Sequence, residues 1–200
     1  MPHQSLGGAL YFVSFIDDST RKVWAYPIRI KDPVFSIFSD WLAMVKNQTG
    51  WKLKCLRTDN GGEFESEEFV TFCRERGIRR EGTACYSPNQ NGIVERMNRT
   101  IQEHFVSMLQ HSGLSDGFWA EALLTAIHII NMSSSRTLRL QITPELWTSS
   151  KPNYDKLRIF GCESLNQDPG NAFSLAMVQT TRSNTDSRTL STDKSSEVRT

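Results

Sequence analysis

The sequence predicts a mixed α/β fold, and three patterns support that prediction. Two short apolar and β-branched runs flank a polar turn near the N-terminus, which is typical of a β-hairpin. Further along, segments whose apolar residues recur every three or four positions indicate helices. Short apolar runs bounded by turn residues lie between these helical segments. Strands followed by helices, with mixed connections, indicate the α/β class.

The first elements are a hairpin and a helix. Residues 10–16 are apolar almost throughout, which suits a strand buried on both faces, and residues 22–28 form the second strand. Behind Pro33, apolar residues at helical spacing predict a helix to about Asn47, and Gly50 ends it.

A second strand and helix follow. Residues 53–58 are predicted to form a strand that places Asp59 at its carboxyl end, before a turn at 60–62. Ser66 is predicted to cap the next helix and Gly77 to end it. Residues 78–83 then have the character of a short strand.

The last elements are a loop and two helices. Residues 87–92 have the composition of a loop, and a long amphipathic helix follows. Its apolar stripe contains Val94, Met97, Ile101, Phe105 and Met108. A second stripe contains Glu95, Asn98, Arg99 and Gln102. A further helix begins at Ser115 and extends through Ile130.

Composition divides the 200 residues into two regions. Bulky apolar residues become sparse after Cys162, so we expect a globular domain over 5–162 and a polar, disordered tail over 163–200. No apolar run reaches the roughly 18 residues of a membrane span, and no secretory signal is visible. The four cysteines show no CxxC spacing, so free thiols are expected.

Asp59 and Glu95 are the candidate catalytic and metal-binding pair. Mg²⁺ is commonly held by one or two carboxylates together with substrate phosphates, and two such ions can clamp an in-line phosphoryl displacement. From the residues alone, the alternative is that Asp59 shapes a turn and Glu95 is a solvated helix residue. The net charge of +1 does not by itself indicate a nucleic-acid partner.

The segments around this pair resemble the integrase core of copia-type LTR retrotransposons. The matching segments are LRTDNGGEF at 56–64 and YSPNQNGIVERMNRT at 86–100. The two acids are separated by 95 − 59 − 1 = 35 residues, the spacing of that family's D,D-35-E motif. Further matches occur in order at 7–12, 17–18, 48–50, 118–122 and 157–162.

The resemblance implies a ribonuclease H-like fold, a five-stranded mixed sheet flanked by helices. It implies 3′-end processing and strand transfer of element DNA, with Mg²⁺ or Mn²⁺ bound by three acids. Asp59 matches the second acid and Glu95 the third. The first acid and its central strand would precede the region matching Met1, so we expect the chain as written to lack that strand and to be inactive in strand transfer.

Resemblance also assigns partners. In this family, the corresponding helix lies along the end of the element's DNA, and in this sequence it carries Arg96, Asn98, Arg99 and Gln102. From the residues alone, the two arginines could equally serve to keep the helix soluble. DNA is the expected partner, with homo-oligomers or pairing with intact integrase, and the nucleus the expected location. The alternative function is a non-catalytic DNA-binding or integrase-pairing module from a decayed element.

Several other features have plainer interpretations. Asp17 and Asp18 are expected to be hairpin turn residues, and Trp119 and Trp147 core residues. A second basic cluster contains Arg74, Arg76, Arg79 and Arg80. It is expected to be a solvated face offset by neighbouring glutamates, with contact to target DNA as the alternative. None of the four histidines has a credible zinc-ligand set.

Overall fold

A computed structural model describes residues 3–31, 33–58, 62–82, 88–134, 142–148, 151–155 and 157–162. The predicted tail, 163–200, and the candidate acid Asp59 lie outside these residues. The described residues form four strands and five α-helices, in the mixed α/β order that the sequence predicts.

The predicted hairpin is confirmed. Strands β1 (Tyr11–Ile16) and β2 (Val23–Ile28) pair antiparallel, with Ile16 opposite Val23. The Asp17 carboxylate closes the turn, because it accepts hydrogen bonds from both the N–H and the hydroxyl of Thr20 at 2.7 Å. This is the ordinary way in which aspartate stabilises a turn.

The second strand pair is parallel. Strand β3 (Cys55–Thr58) begins two residues later than predicted and pairs with β4 (Arg79–Gly82). Between them lie a 3-10 turn and helix α2 (Glu67–Glu75). Ser66 caps α2 as predicted, because its hydroxyl accepts a hydrogen bond from the Phe69 N–H at 3.3 Å.

The other helices follow the predicted order, with one correction. Helix α1 (Val34–Thr49) ends at Gly50, whose φ is +71°, as the sequence indicates. Helix α3 (Pro88–Ser112) includes most of the segment predicted as a loop, so that prediction is wrong. Proline is well suited to a first helical position, since its missing N–H would have no partner there. Two shorter helices follow, α4 (Trp119–Met132) and α5 (Thr143–Thr148).

Two hydrophobic clusters cover the two faces of the hairpin. On one face, Ile101 of α3 and Leu123 of α4 are fully buried. On the other face, Phe38 of α1 and Phe69 of α2 are fully buried. Residues of β1 enter both clusters, which confirms that this strand is covered on both sides. Trp119 and Trp147 are buried, as expected of core residues.

The strands of the described part of the chain form two separate two-stranded sheets, β1–β2 and β3–β4. The described residues therefore contain four strands in two sheets, where the resemblance implies a single five-stranded sheet. Among the described helices, none is both long and apolar enough to cross a membrane.

Candidate metal and nucleic-acid site

A groove of about 690 Å³ separates the two sheets. Its long walls are β1 and β3, and it continues past the end of β1 to Asp17 and Asp18. Helix α1 contributes Val34 and Trp41, and the first turns of α3 contribute Ile93 and Val94. Four separate elements therefore meet around one cleft.

Strand β3, which ends directly before Asp59, and helix α3, which carries Glu95, both border this groove. Thr58, the last residue of β3, lines it and directly precedes Asp59. Asn98 lines it from α3, one turn beyond Glu95. Thirty-five residues lie between the two acids in sequence, yet β3, which ends directly before Asp59, and α3, which carries Glu95, line the same groove.

Glu95 presents an available carboxylate. It is exposed near the start of α3 and makes no ion pair with another residue of the described ranges. Carboxylate oxygen is the donor that Mg²⁺ and Mn²⁺ prefer in proteins. The donor chemistry therefore fits a divalent cation, with Glu95 and Asp59 as the residues that would hold it.

The four residues assigned to DNA contact have different environments. Arg96, Arg99 and Gln102 are exposed on α3. The Arg96 side chain extends back along the helix, so that its guanidinium group lies beside Gly92, one turn earlier. Asn98 is half-buried, and its Oδ1 accepts a hydrogen bond from the Ser14 hydroxyl at 3.0 Å.

Asn98 therefore links α3, the helix predicted to contact DNA, to strand β1. The exposed guanidinium groups of Arg96 and Arg99 are the ones free to approach phosphate, and contact with DNA remains a prediction for all four residues.

The two aspartates at the turn are already occupied. Asp17 holds Thr20, as described above, and Asp18 forms an ion pair with Arg21. Both residues border the groove at the end of β1. Their contacts match the predicted role as turn residues.

Three of the four arginines in the second basic cluster, Arg76, Arg79 and Arg80, make contacts within the protein. Glu81 forms ion pairs with Arg79 at 2.7 Å and with Arg57 at 3.1 Å. The hydrogen bond from Arg57 is the main reason that the pKa of Glu81 is lowered. Arg80 donates to the Phe64 carbonyl at 2.6 Å, and Arg76 lies 3.6 Å from the Phe72 ring centroid. These contacts support a structural role for the cluster.

No group of three or more His, Cys, Asp or Glu side chains with metal-binding geometry occurs in the ranges that the structure describes. Burial lowers the pKa of His128, which favours its neutral form. The described cysteines, Cys55, Cys73 and Cys162, are free thiols, as the sequence indicated.

The sequence did not reveal the environment of one half-buried cation, Lys22. The Lys22 Nζ lies 5.2 Å from the ring centroid of Trp24 and 4.6 Å from that of Trp147. Burial lowers the pKa of Lys22 to about 8, although the two ring faces favour the ammonium form. Lys22 directly precedes β2, two residues before Trp24, so extended chain places the two side chains on one face. No sequence signal locates Trp147, which is more than 120 residues away.

Comparisons with known proteins identify relatives that match most of the chain. A model of the TnsB C-terminal domain matches residues 38–111. The retrovirus-related Pol polyprotein from transposon TNT 1-94 of Nicotiana tabacum is 46% identical over 169 residues, which are 84% of this chain and 13% of that protein. The Pol polyprotein from transposon RE2 of Arabidopsis thaliana is 32% identical over 161 residues, 80% of this chain and 11% of that protein.

Solved structures with the same fold include two viral integrase assemblies. One is the intasome of simian T-cell lymphotropic virus in complex with PP2A regulatory subunit B56 gamma, with a TM-score of 0.57, 20% identity and coverage of 76% of this chain and 58% of that chain. The other is the HTLV-2 integrase catalytic core domain in complex with magnesium, in a trimeric form, with a TM-score of 0.51, 20% identity and coverage of 67% and 82%. The present chain spans about an eighth of the Pol polyproteins that it matches.

Proposed function

This chain is homologous to retrovirus-related Pol polyproteins of copia-type transposons and has the ribonuclease H-like fold of integrase catalytic cores, and we propose on this premise that it is an integrase-core segment that serves DNA integration. The observation that carries the proposal is the convergence of β3 and α3 on one groove. Helix α3 bears Glu95, the third acid of the motif that the sequence resembles, and β3 ends directly before Asp59, the second acid.

Asp59 and Glu95 would hold Mg²⁺ or Mn²⁺ in this proposal. A bound divalent ion polarises a phosphate and stabilises the attacking and leaving oxygens of a phosphoryl transfer. Glu95 is fixed on a long helix, and Asp59 directly follows β3 in sequence. Asn98, held by Ser14, keeps that helix against β1.

DNA is the proposed partner, and α3 the element that contacts it. Arg96 and Arg99 are exposed cations on the same helix as Glu95. A phosphate bound by these guanidinium groups would lie close to the metal-binding carboxylate. The domain over 5–162 is the proposed functional unit, and the nucleus is the proposed location because the target is chromosomal DNA.

We propose further that the 200-residue chain alone does not catalyse strand transfer. The β1 and β3 walls of the groove belong to separate sheets, so strand pairing within the described residues does not fix one relative to the other. Catalysis by positioned charges requires the groups to be held before the reaction. A purified sample that joined a labelled DNA end to a target duplex with Mg²⁺ or Mn²⁺ would refute this proposal.

The metal-binding role can be tested without activity. In an NMR titration with Mn²⁺, we expect paramagnetic broadening of signals from residues flanking Asp59 and Glu95. Either Asp59→Asn or Glu95→Gln should weaken that broadening. Glu103→Gln is the matched control, because Glu103 is also exposed on α3 but lies two turns further along. Unchanged broadening in both site variants would contradict the assignment.

The alternative function, a binding module without catalysis, is supported by the exposed arginines of α3 alone. It predicts DNA binding that is independent of divalent metal and unaffected by Asp59→Asn. A gel shift with and without EDTA separates the two functions, because the catalytic proposal predicts metal-dependent contact at the groove in addition to phosphate binding by α3.

A further inference from the structure

Arg57 and Glu81 form an ion pair that joins strands β3 and β4. The two residues are partners in the parallel pairing, so their side chains emerge next to each other on one face of the sheet. The Arg57 Nη2 atom lies 3.1 Å, and its Nε atom 3.4 Å, from the same Glu81 oxygen, Oε2. Because 45% of the Arg57 side chain is exposed, this contact fixes a guanidinium group at the protein surface.

The contact with Glu81 uses only one side of the Arg57 guanidinium group. Arginine carries five N–H donors in a planar fork, and Glu81 accepts from the Nε–H and from one hydrogen of Nη2. The other hydrogen of Nη2 and both hydrogens of Nη1 make no hydrogen bond to a residue of the described ranges. Adjacent donors of this kind match two oxygens of a phosphate.

The surroundings of Arg57 carry a net positive charge. Glu81 also binds Arg79, whose Nη2 atom lies 2.7 Å from the second carboxylate oxygen, Oε1. The hydrogen bond from Arg57 lowers the pKa of Glu81, so this carboxylate is ionised at neutral pH. One carboxylate thus faces two guanidinium groups, and the three side chains together carry a charge of +1. Such a group attracts an anion.

Arg57 lies on the same side of the sheets as helix α3. Leu56, the preceding residue of β3, packs into the hydrophobic cluster that α1 and α2 form, so alternation directs Arg57 to the opposite face. Helix α3 packs on that opposite side of the hairpin, where Ile101 is buried. Arg57 also borders the groove together with Asn98 of α3. In sequence, Arg57 precedes the candidate acid Asp59 by two residues.

We propose that Arg57 is a further DNA-binding residue, which binds a backbone phosphate beside the candidate metal site and is positioned by Glu81. The inference rests on the proposed function, because it takes DNA as the ligand. The edge of the guanidinium group that faces away from Glu81 donates to two oxygens of the phosphate. Because Glu81 fixes Arg57 before DNA binds, less side-chain freedom is lost on binding. DNA is then held from two sides, by β3 and by α3.

The first test is the salt dependence of DNA binding by the full 200-residue chain. Fluorescence anisotropy with a labelled duplex gives the slope of log K against log salt. Each phosphate contact contributes about 0.9 to this slope, so Arg57→Ala should lower it by about 0.9 and weaken binding about fivefold at physiological salt. If Arg57→Ala does not fold, Arg57→Gln removes the charge but keeps a hydrogen-bond donor, and it should lower the slope equally.

Arg79→Ala is the matched control for this measurement. It removes the same charge from the same carboxylate and leaves the pair between Arg57 and Glu81 in place. Arg79 is the partner of Cys55 in the sheet, two residues before Arg57, and is therefore farther from the end of β3 that precedes Asp59. We expect this control to keep the wild-type slope.

A double-mutant cycle tests the role of Glu81. The effect of Arg57→Ala on DNA binding is measured in the wild-type chain and in a Glu81→Ala background. If Glu81 positions Arg57, its removal leaves the guanidinium group mobile, and Arg57→Ala should then weaken binding only about twofold. If Glu81 merely competed with phosphate, its removal would release Arg57 and the effect would grow. Urea unfolding of each variant shows whether it is folded.

Four results would overturn the proposal, and they are distinguishable. An unchanged slope in Arg57→Ala, together with a lower slope in Arg96→Ala/Arg99→Ala, would refute the role of Arg57 and leave the proposed function intact. Equal losses in Arg57→Ala and Arg79→Ala would show a general effect of charge. An equal or larger effect of Arg57→Ala in the Glu81→Ala background would refute positioning by Glu81. A wild-type chain that binds no DNA at low salt would refute the proposed function itself, and the role of Arg57 with it.

Discussion

Replacement of Asn131 by alanine should destabilise the fold through the edge of β2. Asn131 lies at the end of α4, and its amide makes two hydrogen bonds to the partly buried backbone of Val23, at 2.9 and 2.8 Å. Alanine removes both partners and leaves the N–H and the carbonyl of Val23 without them. The effect should therefore exceed that of an exposed polar substitution.

The magnitude follows from the number of groups left unpaired. A typical intramolecular hydrogen bond contributes about 0.5–1.5 kcal/mol, and an unsatisfied buried donor or acceptor costs about 1–3 kcal/mol. Water can reach part of this edge, so the lower part of each range applies. We expect Asn131→Ala to lower the free energy of unfolding by about 2–3 kcal/mol.

Equilibrium unfolding in urea measures this change at constant pH. Asn131→Asp is the control, because it keeps an acceptor for the Val23 N–H but has no donor for the Val23 carbonyl. We expect the free energy of unfolding of Asn131→Asp to lie between those of the wild-type chain and the alanine variant. An alanine variant within about 0.5 kcal/mol of the wild type, with an unchanged m-value, would refute the role assigned to this amide.

Three further predictions concern the core, a helix cap and a half-buried lysine. Leu123→Ala should lower the free energy of unfolding by about 2–5 kcal/mol, because Leu123 is fully buried; a loss below 1 kcal/mol in urea unfolding would contradict its place in the core. Ser66→Ala should cost about 1 kcal/mol, whereas Ser66→Asp should preserve the cap and most of the stability. The folded-state pKa of Lys22, about 8, is below its ordinary value of 10.5, so the unfolded chain binds more protons between these values and stability should rise with pH across them. The difference in unfolding free energy between wild type and Lys22→Met should change in that pH window; a constant difference would show that Lys22 does not titrate there.

Local sequence patterns were sufficient to predict most elements. Alternation and turn chemistry located the hairpin, because Asp17 closes its own turn within three residues. Helical periodicity located α1, and Gly50 ended it through a left-handed conformation that glycine adopts without strain. Such signals operate over a few neighbouring positions and need no tertiary information.

The start of α3 was predicted less well. The segment from Pro88 to Gly92 has the composition of a loop, yet its backbone is helical. A proline at the first helical position is compatible with either structure, so composition alone could not decide. Packing of the later residues Ile101 and Phe105 anchors a helix whose first turns lack strong local preference.

The candidate site could be predicted only in part. Resemblance located Asp59 and Glu95 in sequence, but it did not show that β3 and α3 border one groove. The pairing of Asn98 with Ser14 spans 84 positions, and the pairing of Asn131 with Val23 spans 108. No periodic pattern encodes contacts at such separations, because they depend on how complete elements pack.

The central claim, that α3 is the DNA-binding element of an integrase core, is tested most directly by the salt dependence of DNA binding. Fluorescence anisotropy with a labelled DNA duplex would compare the wild-type chain with Arg96→Ala/Arg99→Ala, and with Arg74→Ala/Arg76→Ala as the control. Each phosphate contact contributes about 0.9 to the slope of log K against log salt, so the α3 variant should lose about 1.8 from the slope and bind more weakly. The control should keep the wild-type slope. Equal slopes and affinities in the wild type and the α3 variant would contradict the claim.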